Sequence, residues 1–216
     1  MTKLKLIAAL GLGIMVSACG AVPDLPTRNA PLETVSTLSS AASLDHAPRM
    51  ALLDTSVQPV TASMRVTDVR VSVPQTLKVS EANRYYPQGD IVWREDPIGN
   101  RYEQVQKIFD TALNHGVKDM TGTTPAIMDI EVKRFHALTE KARYTVGGVH
   151  SITFLMTLRH AETGMVLAPT REIKANLDAF GGQRAIDAEA RGQTQKVRIT
   201  GHLAEVIRQE MNKPAA

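Results

Sequence analysis

Two carboxylates stand side by side in the stretch DIVWRED (90–96), where Glu95 and Asp96 follow the chain's only tryptophan, Trp93, and Arg94. Such a pair does acid–base chemistry when a neighbour keeps one member protonated and a reacting group lies in reach. No histidine lies close in sequence. The six in the chain are His46, His115, His136, His150, His160 and His202, and none recurs at helical ligand spacing or in an H-E-x-x-H frame. They are expected on the surface, with no metal site. The glycine pair of YTVGGVHS (144–151) lacks the G-x-G-x-x-G spacing of a phosphate cradle and is expected to bend the chain into a strand. No G-x-S-x-G or Walker sequence occurs. These residues imply a protein that is not an enzyme and carries no cofactor.

The remaining reactive group is the only cysteine, Cys19, at the end of the most apolar run in the chain. Lys3 and Lys5 precede that run, Leu6 to Ala18 is apolar or small throughout, and turn residues follow. A basic start, a short apolar stretch and a small-residue end define a secretory signal, here residues 1–18. The run is shorter than the roughly 20 residues a bilayer-spanning helix needs. A catalytic thiol needs a base and an ordered pocket, and a disulfide needs a second cysteine. Val16-Ser17-Ala18-Cys19 resembles a bacterial lipobox, which implies diacylglycerol on the Cys19 thiol and cleavage before it. A further acyl chain, such as palmitate, on the new amino terminus would complete the anchor, because two or more chains hold a protein stably on a membrane. In the sorting rule known for such lipoproteins, Asp after the cysteine retains the protein in the inner membrane. Gly20 stands there, which implies the outer membrane, facing the periplasm.

Losing the leader removes Lys3 and Lys5 and takes the formal charge from +3 to +1. No basic cluster with interleaved aromatics remains to argue for nucleic acid. Residues 19–63 are the lipidated end and a tether, with prolines at 23, 26, 31, 48 and 59. As a coil, residues 20–63 would span roughly 35–40 Å and lift a domain clear of the lipid.

The elements that would position DIVWRED begin at Met64. MRVTDVRVSV alternates with Val69, Val71 and Val73 on one face, and its phase slips between Val66 and Val69, which predicts a bulge. Asn100 with Glu103 three residues on predicts a helix start. Tyr102, Val105, Phe109, Ala112 and Leu113 supply its apolar stripe, and Gly116 its end. AIMDIEVKRFHAL and VHSITFLMTLRH alternate as half-buried strands, and MVLAPTREIKANLDAF runs back as a third interrupted by Pro169. AFGGQRA reads as a loop, and TQKVRITGHLAEVIRQEMN as a closing helix on Val197, Leu203, Val206, Ile207 and Met211. The order β-α-β-β-β-α predicts an α+β two-layer sandwich over 64–216, a mainly antiparallel sheet with two helices on one face.

For YYPQGDIVWREDPIGNRY (85–102) two roles stay open. Trp93 pins a long loop under the helix, or Trp93, Arg94 and Glu95 form a partner-binding edge, since aromatic and arginine side chains are favoured anchors. Arg94 and Glu95 are expected on the exposed side. The run Tyr86-Pro87, Asp90-Ile91-Val92-Trp93-Arg94, Arg101-Tyr102 and Gln104-Val105 resembles a family of uncharacterised alphaproteobacterial envelope lipoproteins. More distantly, the layout is similar to the auxiliary lipoproteins of ABC-type lipid transport systems. The resemblance implies a lipid-anchored binding or scaffold component of the cell envelope, with an envelope protein as partner. The alternative is a membrane-tethered module that binds a small molecule or lipid.

Overall fold

In the computed structural model, the structure describes residues 63–213. The leader, Val16-Ser17-Ala18-Cys19 and residues 20–62 lie outside them. The described residues belong to one compact unit, Leu53–Ala216.

The alternating run at Met64 forms β1 (Met64–Ser72), and its predicted slip is present as a register shift between Val66 and Asp68. A long connection then carries β2 (Ile91–Val92) into α1 (Arg101–Val117). Asn100 starts α1 as expected: its side-chain oxygen accepts from the backbone N–H of Tyr102 and Glu103, and its amide donates to the Glu103 carboxylate at 2.7 Å. Next come β3 (Thr124–His136), a single helical turn α2 (Glu140–Arg143) and β4 (Gly148–His160). β5 (Val166–Lys174), β6 (Leu177–Ala179), α3 (Gln183–Ala190) and α4 (Gln195–Met211) complete the chain.

The sheet runs β1-β3-β4-β5, with β2 also on β3 and β6 also on β4. β3, β4, β5 and β6 pair antiparallel, whereas β1 and β2 run parallel to β3. A strand that returns through a helix comes back in the same direction, so β1-α1-β3 makes a parallel pair. β5 tolerates Pro169 without a break because it is an edge strand, and its ladder with β4 shifts register on either side of Leu158.

One sheet face is apolar. Met128, Ile130 and Val132 of β3 and Ile152, Phe154, Met156 and Leu158 of β4 are all buried. They form one core with Val105, Phe109 and Leu113 of α1 and Ile199, Leu203 and Ile207 of α4. The architecture is thus an α+β sandwich with α1 and α4 layered on this face. The opposite face carries paired polar side chains, Arg159 with Asp129 at 3.0 Å and Thr157 with Thr170 at 2.7 Å.

Three local expectations change. Gly116 does not end α1; it lies inside the helix, where an added Cβ would meet Ile207 Cγ2 at 2.1 Å and the Ala204 carbonyl at 2.7 Å. The glycine is there to let α1 and α4 approach closely. AFGGQRA is only partly loop, since α3 starts at Gln183 and buries only Ala185 and Ala188. In α4 the inward face carries Ile199 and Ala204, while Val197 is 48% exposed.

Candidate functional site

The segment 77–104 is an ordered strap tied along its length. β2 pairs with the end of β3, Ile91 opposite Phe135 and Val92 opposite His136, beyond where β1 stops. That pairing buries Ile91, Val92 and Trp93 completely. The Trp93 ring meets Phe135 edge-on at 5.6 Å, and its Nε1 donates to Asp96 at 2.8 Å. Asp96 also takes the Lys196 ammonium at 2.8 Å, which joins the strap to the first turn of α4.

Around this pin the charges interlock. Arg101 is buried and clasps Glu81 through Nε at 2.6 Å and Nη2 at 3.0 Å. Its Nη1 donates to the Asp96 and Pro97 carbonyls, both at 3.1 Å, and to Gln104 Oε1 at 2.6 Å. Arg94 donates to Glu140 of α2 at 2.6 Å and to the Glu81 carbonyl. Glu95 accepts the Lys196 backbone N–H at 3.1 Å and Arg143 Nη1 at 3.1 Å, and Arg143 also holds Glu189 at 2.8 Å. A carboxylate on the first N–H groups of α4 suits the helix dipole.

Ionisation follows these contacts. The Arg101 hydrogen bond holds Glu81 below the usual carboxylate range. Burial pushes Asp96 up, but the hydrogen bonds from Lys196 and Trp93 outweigh it and leave the group lowered. Glu140 is lowered in the same way, against its burial, by Arg94. By their contacts, Glu95 and Asp96 tie the strap to α2 and α4.

The expected exposure of this segment needs correction. Trp93 is the loop pin of the first alternative, fully buried. Arg94 and Glu95 do not stand free: their side chains are 23% and 16% exposed and face Glu140, Glu81, Arg143 and the start of α4. Missing from the sequence reading were their partners Glu81, Glu140, Arg143 and Lys196. These lie too far along the chain for spacing to link them.

One histidine departs from the surface expectation. His150 is 1% exposed, and its Nδ1 has no hydrogen-bond partner. Burial, then the charges of Arg198 and Arg143, pushes it down to about 3. The buried Gln195 Oε1 is unpartnered as well, and both residues line a void of about 10 Å³ with Arg143 and Arg198. That volume suits one water. Among the described residues, no group of His, Cys, Asp and Glu is placed to hold a metal ion.

The strap also walls a larger cleft of about 380 Å³. Tyr85, Tyr86 and Pro87 line one side, Arg134, His136 and Leu138 follow β3, and Gly147 to Val149 with Ser151 close it from β4. Gly147 and Gly148 have positive φ and make the expected bend into β4. Gly147 packs so closely on Gly181 that no Cβ fits at either.

Among the described residues no helix is long and apolar enough to cross a membrane. No curated protein matches the chain in sequence. The structure is similar to that of a Xanthomonas campestris protein of family DUF330, with 12% identity and a TM-score of 0.39 over 68% of this chain and 83% of that chain. A candidate lipoprotein from Caulobacter crescentus shares 11% identity at a TM-score of 0.32, over 50% of this chain and 80% of that one. The model of a family of unknown function, DUF6778, matches residues 64–216, and the chain belongs to that family.

Proposed function

We propose that this protein is a lipid-anchored component of the bacterial cell envelope that acts by binding rather than by chemistry. The observation that carries this reading is Cys19, placed behind Val16-Ser17-Ala18 at the end of the apolar leader. Lipid on Cys19 fixes the chain to the periplasmic side of the outer membrane, Gly20 permitting export. The stretch before Met64 lets the folded domain stand off from the lipid. The engaged state of Glu95 and Asp96 supports a non-catalytic role, because Glu95 is occupied by Arg143 and the Lys196 N–H, and Asp96, held ionised by the lysine and indole donors, is a poor general acid. In its sharper form the domain is an accessory of an envelope transport system, recognising a protein partner.

Two surfaces suit that work: the polar sheet face around Asp129, Glu131 and Thr157, with its trough of about 320 Å³, and the Tyr85–Tyr86 cleft. The cleft also favours a second reading, a tethered small-molecule or lipid-binding module, because its volume falls in the range of ligand sites. Photo-crosslinkers placed at Thr157 and at Tyr86 in intact cells, followed by mass spectrometry, test both. An envelope protein joined at one position and not the other supports the scaffold reading. Adducts with cytoplasmic proteins alone would overturn it.

A further inference from the structure

Exposed apolar surface is not spread evenly over this domain. Of the ten large hydrophobic side chains that stand exposed among the described residues, six (Tyr85, Tyr86, Ile98, Tyr144, Val146 and Val149) sit on the strap or at the α2–β4 bend. Tyr86 is 91% exposed, Val149 49% and Tyr85 41%, and all three line the 380 Å³ cleft. Side chains so large and so uncovered mark interaction sites when they cluster round a concavity.

The polar lining is as distinctive. Arg94, Arg101 and Arg143 each face carboxylates. Arg134 does not. Its Nε donates to Ser151 Oγ at 3.2 Å, its Nη1 to the Gly89 carbonyl at 3.2 Å and its Nη2 to His136 Nδ1 at 2.6 Å. All three partners are neutral acceptors. A guanidinium has five N–H donors and never deprotonates, so two donors and the full charge remain uncommitted. Its donation to Nδ1 makes that nitrogen the acceptor and places the imidazole proton on Nε2. The carboxylate nearest in sequence, Glu131, pairs with Lys133 at 3.2 Å, and Asp90, beside Gly89, accepts the backbone N–H of Lys78 at 2.9 Å. A second cation, Lys141, lies 4.8 Å over the Tyr85 ring at the rim.

We propose that this cleft binds an anionic amphiphile, with a phosphate or carboxylate head on Arg134 and an apolar body against Tyr85, Tyr86 and Val149. The arrangement offers what such a ligand needs together: an uncompensated, partly desolvated arginine fork for the acid and aromatic and aliphatic walls for the tail. The site deepens the binding reading given above and names its ligand class.

The test uses the chain after Cys19, residues 20–216, isotopically labelled and free of lipid anchor, so its outcome does not depend on the lipobox. Three probes are titrated and followed by amide shifts: dioctanoyl phosphatidic acid below its micelle threshold, dioctanoyl phosphatidylcholine and inorganic phosphate. Phosphatidic acid should bind saturably, with shifts confined to Tyr85–Gly89, Arg134–Leu138 and Gly147–Ser151, and the other two at least about tenfold more weakly. Arg134→Gln should weaken it by about tenfold. Tyr86→Asp should do the same without moving the melting temperature, since a side chain that exposed holds no fold together. Equal affinity for phosphatidylcholine overturns the role of the charge. Inorganic phosphate binding as tightly as the lipid overturns the amphiphile and leaves a free-phosphate site. No saturable binding, or unchanged affinity in Tyr86→Asp, overturns the proposal outright.

Discussion

Acidifying the protein from near pH 7 to near pH 5 isolates the cost of burying His150. The folded ring sits at about 3, against an ordinary 6.5, because it is buried among Arg198, Arg143 and His202. Its folded value is depressed, so the unfolded chain takes up the proton first as the pH falls below about 6.5. Stability is therefore lost progressively over the window from 6.5 down to about 3. Each unit is worth about 1.4 kcal/mol, which makes the loss at pH 5 about 2 kcal/mol from this one group. Glu81, Asp96 and Glu140 are all lowered. Their own losses begin only below about pH 4.5, outside the interval. His136, lowered by burial and Arg134, adds in the same direction as His150. A variant is thus needed to separate the two. Urea unfolding, followed through the emission of the single buried Trp93, should show the wild type losing stability across the interval. His150→Gln should lose about 2 kcal/mol less. Equal losses in the two proteins would refute the reasoning.

Trp93→Ala should destabilise by about 3–5 kcal/mol, because it empties a fully buried site against Phe135 and frees Asp96; chemical denaturation measures it. Gly116→Ala should lower stability by about 1–3 kcal/mol, since the new methyl meets α4. Gly201→Ala, with nothing within 4 Å of the new Cβ, should raise it by about 1 kcal/mol. Two glycines in two packed helices thus answer the same substitution with opposite signs, and melts of the pair check it. Arg94→Ala leaves Glu140 half-buried without its partner and should cost about 1 kcal/mol in the same assay.

What the sequence disclosed was local. The slip after Val66, the Asn100 cap and the alternation of Met128, Ile130 and Val132 each depend on neighbours a few residues apart, and each is present in the structure. Pairing was less accessible. Nothing in the pattern of Val69 and Val71 says that β1 lies parallel to β3, because direction is set by the intervening helix. α3 was hidden because alanines alone face inward from it. Gly116 looked like a helix end because glycine is common there, and only the position of Ile207 shows the other cause. In the site, Trp93 was recognisable as a pin from its size and rarity. Adjacent charges at Arg94, Glu95 and Asp96 resembled a solvated surface, yet apart from Glu81 their charged partners come from α2 and α4, between 46 and 101 residues away. His150 stands in a strand whose buried phase it shares with Ile152 and Phe154, and residue type alone placed it outside.

The most direct test of the central claim is the mass of the amino-terminal peptide of the protein recovered from its own cell envelope. The account predicts that the chain begins at Cys19 and carries a diacylglyceryl group on sulfur, with the outer-membrane fraction holding it. Cys19→Ala should yield a chain that is neither lipidated nor cut at that bond. A wild-type peptide that starts elsewhere, or begins at Cys19 with a free thiol, would contradict it.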